Sequence, residues 1–144
     1  MSDDIYEKII YDDIEFSTLA SLEPKLKKRC LTLNGVSKSY CMTGWRLGYC
    51  GAPKDIISAM NKIQSQSNSS TSSISMAASV EALNGPQSFI IEHNKRFINR
   101  RDMIVSKLNN IEGISCNIPK GAFYVYPNCE GIIGCKTNKG KEIK

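Results

Sequence analysis

The chain has a single histidine, His93, and a single tryptophan, Trp45, in 144 residues. Its six cysteines (Cys30, Cys41, Cys50, Cys116, Cys129 and Cys135) include no Cys-x-x-Cys pair. One histidine and no paired thiols lack the spacing that builds a zinc centre, so no metal site is expected. There is no apolar run of about 18 residues and no charged-apolar-small leader, so no membrane partner is expected. The expectation is a cytoplasmic protein whose thiols stay reduced and act as small hydrophobes. Neither sign of charge dominates: 19 Lys and Arg stand against 14 Asp and Glu, for a net charge of +5. The basic residues are scattered through 25–29, 95–101 and 136–144, without interleaved aromatics or a recognition motif, so nucleic acid is not an expected partner.

What is present is ordinary for a globular domain: 41% hydrophobic and 23% charged residues, in a chain long enough for one core. Residues 30–34 and 45–50 read as buried strands. Pro53 opens a helix with Ile56, Ala59, Met60 and Ile63 on one face. The stretch 64–75, rich in Ser, Thr, Asn and Gln, reads as a flexible loop. A second helix covers 73–84 and stops at Asn84-Gly85-Pro86. A longer helix covers 86–110, with Ile90, Phe97, Ile98, Ile104, Val105 and Leu108 at helical spacing and His93 on the polar face, in solvent. Residues 115–118 and 122–126 are strand candidates around the turn Pro119-Lys120-Gly121, and a lysine-rich tail follows Gly134. The fold class is α/β, with no internal repeat.

Lys38 is the residue hardest to explain as surface decoration. It lies in Asn34-Gly35-Val36-Ser37-Lys38-Ser39-Tyr40, between the two strand candidates, where a solvated ammonium is out of place. Buried lysines change their protonation readily and serve as Schiff-base nucleophiles. Arg46, eight residues on, offers a fixed donor fork suited to a phosphate. Asp3 and Tyr6 lie three residues apart near the start of the chain. Taken singly, each has a commoner use: Asp3 as a helix cap or surface acid, Tyr6 as a packing aromatic, Arg46 as an ion-pair partner. Together they are the parts that an aldehyde cofactor with a pyridine ring and a phosphate requires.

Three segments carry a family resemblance: Ser2-Asp3-Asp4-Ile5-Tyr6-Glu7; Ser37-Lys38 with Met42-Thr43-Gly44-Trp45-Arg46-Leu47-Gly48-Tyr49; and Pro119-Lys120-Gly121-Ala122-Phe123-Tyr124. The chain resembles the pyridoxal-phosphate-dependent aminotransferases of fold type I (class I/II), in the bacterial aspartate and aspartate/prephenate branch. The resemblance implies pyridoxal 5'-phosphate as cofactor and Lys38 as its covalent attachment point and proton shuttle. It further implies Asp3 on the pyridine nitrogen, Tyr6 on the ring oxygen, and Arg46 on the phosphate with Ser37 as helper. Many relatives carry a serine three residues before the lysine, where this chain has Gly35, so one phosphate hydroxyl is in question. The implied reaction is amino transfer between an amino acid, aspartate first, and a 2-oxo acid such as 2-oxoglutarate, in a homodimer. Phe123 and Tyr124 are expected to pack a small-domain strand, although the family places the pair near the substrate entrance.

The implied architecture is a partial three-layer α/β/α large domain over 1–87, the long helix and first strands of a small α+β domain over 88–133, and a disordered polar tail over 134–144. The resemblance also implies parts not found in this sequence: a glycine-bearing phosphate loop, an aromatic stacked on the ring, an Asn-Pro motif and an arginine for the substrate carboxylate. The expectation is therefore a fragment that keeps the cofactor lysine without a working site. Two alternatives share the same residues: another fold type I enzyme such as a C–S lyase, and a non-catalytic piece that needs a complementary chain.

Overall fold

The computed structural model describes residues 1–144. β1 (Ser2–Asp3) pairs in parallel with β2 (Thr32–Gly35), and β2 pairs antiparallel with β3 (Gly48–Gly51). Two four-residue helices, α1 (Leu19–Leu22) and α2 (Pro24–Lys27), lie in the crossover between β1 and β2. Three longer helices follow β3: α3 (Lys54–Ser67), α4 (Ser73–Asn84) and α5 (Ser88–Asn109). A second small sheet pairs β4 (Ser115–Cys116) antiparallel with β5 (Pro127–Asn128). The architecture is mixed α/β, as the sequence predicts.

Local chemistry explains most of the boundaries. Pro53 stands just ahead of α3, where its fixed φ and missing N–H cost nothing, and Asp55 lies in the first turn beside the positive end of the helix dipole. α4 stops where the Gly85 N–H closes on the Glu81 carbonyl at 2.7 Å, and Pro86 cannot continue the ladder. One compact cluster, Val36, Tyr40 and Ile90, packs with Met42, Leu47, Ala82 and Phe89. It ties the turn after β2 to α4 and α5, and that turn carries Lys38.

Several expectations need correction. The second strand begins at Gly48 and not at Trp45, because Thr43–Trp45 forms a 3-10 turn and Arg46 follows it at φ 53, a left-handed conformation no strand accommodates. The two strands are not buried: β2 is half-exposed, and Tyr49 on β3 is exposed. The polar stretch 64–75 is largely helical. Ser65 and Ser67 donate back to the carbonyls of Lys62 and Ile63 and so remain within α3, leaving only 68–72 as connection. Residues 122–126 form no strand, since Ala122 sits at φ 57 and the strand partner of β4 is Pro127–Asn128. After Gly134 the chain folds back on itself. Gly134 and Ile143 bond through their backbones, and the Lys141 N–H donates to the Thr137 hydroxyl, local bonds that need no core. His93 is half-buried, edge-on to Phe89 and 3.5 Å from the Cys41 sulfur, and not in open solvent.

Candidate functional site

The register of the parallel pair sets the site. Asp3 on β1 is level with Leu33 on β2, so both strands deliver their following residues to the same end of the sheet. Tyr6 follows β1 by three residues, and Ser37 and Lys38 follow β2 in a turn. The carboxyl ends of parallel strands are where open α/β sheets place ligands.

The turn is packed tightly around Gly35. A Cβ there would stand 3.0 Å from the Leu47 carbonyl oxygen, 3.1 Å from the Ile5 Cδ1 and 3.2 Å from the Gly48 Cα. A side chain at this position would need the β2–β3 backbone and Ile5 to give by a few tenths of an ångström, so glycine suits the close packing here. Val36 next to it is fully buried and anchors the turn.

Lys38 is half-buried, less withdrawn from water than the sequence reading expects. Its Nζ lies 5.7 Å from the centre of the Phe123 ring. The same ring meets Tyr6 edge-on at 5.3 Å, and Tyr6 also meets Tyr124 edge-on at 5.8 Å. The Tyr6 hydroxyl donates to the Tyr124 hydroxyl at 2.9 Å. Lys38 and Tyr6, 32 positions apart in sequence, are thus gathered around one aromatic pair. Burial pushes the Tyr6 phenol up to about 12, with the bond to Tyr124 and the negative charges of Tyr124 and Asp3 adding in the same direction. The phenol therefore stays a proton donor across the neutral range. Asp3 is exposed and accepts from the Ile5 N–H at 3.2 Å.

Arg46 is not drawn into this cluster by any bond. Its Nη1 donates to the Thr43 carbonyl of its own turn at 2.7 Å. Ser37 is half-buried in the Lys38 turn. The ion pairs of the molecule join Lys95 to Glu92 and Arg101 to Asp12 and Asp102, so Lys38, Asp3 and Arg46 keep their charges uncommitted. Backbone strain gathers around the same segments. Of six non-glycine residues at positive φ, Cys41 and Arg46 follow Lys38, Ala122 precedes Phe123, and Asp12 and Asp13 lie within the loop after Tyr6; only Ser69 lies elsewhere. Such conformations cost on the order of 1–3 kcal/mol each and cluster where a site over-determines the chain.

The residue pattern put Phe123 and Tyr124 in a strand, while the family resemblance set the pair near the substrate entrance; the structure packs both rings against Tyr6. The Pro119-Lys120-Gly121 turn was the available signal: it folds the chain back so that the Ala122 N–H bonds the Ile9 carbonyl at 2.8 Å, beside Tyr6.

A lysine turn and a tyrosine loop at the carboxyl end of a parallel strand pair, with three helices following, define an α/β scaffold of the fold type I aminotransferase class. The chain belongs to the aminotransferase class I and II family, whose sequence model matches residues 1–139. It is 56% identical over 142 residues to the aspartate aminotransferase of Rhizobium meliloti (strain 1021), covering 99% of this chain and 35% of that protein. It is 54% identical over 140 residues to the aspartate/prephenate aminotransferase of Cereibacter sphaeroides, covering 97% of this chain and 35% of that protein. The crystal structure of the Rhizobium meliloti aspartate aminotransferase superposes with a TM-score of 0.94 at 55% identity, over 98% of this chain and 35% of that one. The chain thus spans about a third of the length of the curated relatives it matches. No helix is long and apolar enough to cross a membrane.

Proposed function

We propose that this chain supplies the cofactor-lysine portion of a pyridoxal-phosphate-dependent aminotransferase that exchanges an amino group between aspartate and a 2-oxo acid such as 2-oxoglutarate. The observation that carries the reading is the Lys38 ammonium: half-buried, outside every ion pair, and sharing the Phe123 ring with a protonated Tyr6 phenol. The substrate class rests on the similarity to relatives named aspartate and aspartate/prephenate aminotransferase.

The donor set fits the cofactor chemically. Lys38 has a free amine for an aldehyde, Asp3 a free carboxylate for a pyridinium nitrogen, and Tyr6 a phenol O–H for a ring oxygen. Arg46 spends one N–H on Thr43 and keeps the rest of its fork for a phosphate, with Ser37 beside Lys38 as helper. When bound, pyridoxal phosphate supplies an electrophilic aldehyde and a ring that takes up electrons from the substrate carbon. In this reading Lys38 takes and returns a proton at that carbon. Tyr6, giving its hydrogen bond to Tyr124 in this structure, must turn that bond toward the ring oxygen to serve it.

In this reading residues 1–87 belong to the large domain, 88–133 begin the small one, and 134–144 form the polar tail. The working enzyme is a cytoplasmic homodimer in amino-acid biosynthesis. Catalysis needs groups beyond those gathered around Lys38, and a complementary part of the protein supplies them.

The test is reductive labelling. The full chain is incubated with pyridoxal phosphate, reduced with borohydride and mapped by mass spectrometry. The expected result is one dominant label on Lys38 among the 14 lysines, lost in Lys38→Ala. Label spread over the exposed lysines with none favoured would overturn the reading.

A further inference from the structure

One face of α5 grips two separate loops. Asn94, Phe97 and Arg101 stand at helical spacing of three and four, which stacks them along one side. Asn94 donates to the Lys8 carbonyl at 2.8 Å and to the Ile10 carbonyl at 3.4 Å, in the loop that follows Tyr6. Phe97 stacks on Phe123 at 5.7 Å with the rings 28° apart. Arg101 reaches both loops. Its Nη1 and Nη2 hold the Asp12 carboxylate at 2.6 and 3.0 Å, and Nη1 also donates to the Pro119 carbonyl at 3.2 Å.

The two loops are in turn laced together. The Tyr11 N–H bonds the Lys120 carbonyl at 3.0 Å, the Ala122 N–H bonds the Ile9 carbonyl at 2.8 Å, and the Tyr11 hydroxyl donates to the Ala122 carbonyl. The Arg101 guanidinium lies 5.2 Å over the Tyr11 ring. Only 8% of Arg101 is exposed. A cation that deep is held by its partners or not at all. Asp12 sits at φ 61 in the left-handed region, and from there its carboxylate receives both prongs of the guanidinium.

The far ends of these two loops carry Tyr6 on one side and Phe123 and Tyr124 on the other. We propose that the Arg101–Asp12 pair is a positioning clamp: it fixes the Tyr6 loop and the Phe123–Tyr124 segment against each other, so that the tyrosine pair and the ring under Lys38 keep their geometry. Arg101 does not touch the reacting groups. It acts through Tyr11, Pro119 and Ala122. The relevance to amino transfer rests on the function proposed above; the clamp itself rests only on the contacts.

The experiment follows two phenols in the full chain labelled with 13Cζ-tyrosine. Tyr6 reports the clamped segment. Tyr40, buried in the Val36–Ile90 cluster and bonded to Gln87, reports the integrity of the rest. The groups facing Tyr6 are Tyr124, Phe123 and Asp3. At pH 11 a phenol titrating at about 12 is roughly one-tenth ionised, and one returned to about 10 is roughly nine-tenths ionised. Arg101→Lys, which keeps the charge and loses the fork, and Asp12→Asn are expected to move the ionised fraction of Tyr6 several-fold upward at pH 11. The Tyr6–Phe123 ring NOE at pH 7 should weaken, while the Tyr40 signal stays unchanged. Tyr11→Phe, which leaves no charge unpaired, should act in the same direction by less. Tyr124→Phe sets the size of the change when the acceptor hydroxyl itself is removed. An unchanged Tyr6 in all three clamp variants overturns the proposal, and so does a Tyr40 that moves in step with Tyr6. Failure of Lys38 to take the cofactor label would sink the functional reading and leave this comparison of phenols standing.

Discussion

The two sides of this molecule are held in different ways. Around α5, polar and aromatic groups are matched across long stretches of chain: Arg101 with Asp12, Asn94 with Lys8, Tyr11 with Ala122, Tyr6 with Tyr124. On α3 and α4 the apolar side chains have few partners. α3 buries no residue, and Ile63, Ile74 and Val80 are 71%, 74% and 60% exposed. α4 buries only Ser75 and Ser79, the latter donating to the Ser75 carbonyl. The lesson concerns where specificity resides. Tyr6 and the Phe123–Tyr124 pair are fixed by directional bonds and the Lys38 turn by the Val36 cluster, whereas the middle helices, apart from Ala82 of α4 against that cluster, are held mainly by their own backbone ladders. Propensity and capping suffice to draw a helix, but tertiary packing supplies most of its stability.

The sharpest way to break this contrast is to hollow out the anchor of the lysine turn. Val36 is fully buried between Tyr40 and Ile90. Val36→Ala removes two methyl groups from a site with no route to water and leaves a cavity. The expected loss is about 2 kcal/mol, several degrees in Tm for a chain of this size. The change is read by thermal denaturation alongside labelling of Lys38, which should fall because the turn loses its anchor. A shift in Tm under a degree would mean that the cluster does not hold the turn.

A smaller effect should follow from acid. Arg101 holds the Asp12 carboxyl below the ordinary carboxylate range, chiefly through the hydrogen bonds its guanidinium donates. The folded value is thus depressed relative to the unfolded one. The contribution to stability is then fully present above the unfolded value, about 3.9, and is lost as pH falls through the folded one. Denaturation midpoints measured from pH 6 down to pH 2 should show an acid slope that Asp12→Asn removes. The Tyr6 phenol gives the mirror case at high pH: its folded value is raised, so its contribution holds below about 10 and fades as pH climbs toward about 12. An acid slope identical in wild type and Asp12→Asn would show that the pair carries no linkage.

How much of this was legible in the sequence depends on how local the cause is. The start of α3 and the end of α4 were, because Pro53 and Asn84-Gly85-Pro86 act on their immediate neighbours; the end of α3, within a polar stretch that reads as a loop, was not. Lys38 stood out because a lysine amid Val36, Ser37, Ser39 and Tyr40 has no local excuse. The burial of Arg101 was hidden, because its partner Asp12 lies 89 residues away and a charged residue on a helix reads as a solvated face. The strand expected over 122–126 failed for the same reason. The run of aromatic and β-branched residues suits a strand, but Ala122 takes a left-handed conformation, while Phe123 and Tyr124 pack against Tyr6 rather than a neighbouring strand.

The smallest expected effect lies on the loosely held side. Ile74, in the first turn of α4, has 74% of its surface in solvent. Ile74→Gln exchanges a β-branched residue for a straight one of better helix propensity and gives up almost no buried area. The two terms are each a few tenths of a kcal/mol and opposed, so the stability of this chain should change by less than about 0.5 kcal/mol. The same substitution at Ile90, 8% exposed in the core cluster, buries an amide among apolar side chains and should cost several-fold more. Chemical denaturation of the pair measures the gap directly. Equal losses at both positions would mean that α4 is packed as firmly as α5, and the contrast between the two sides would disappear.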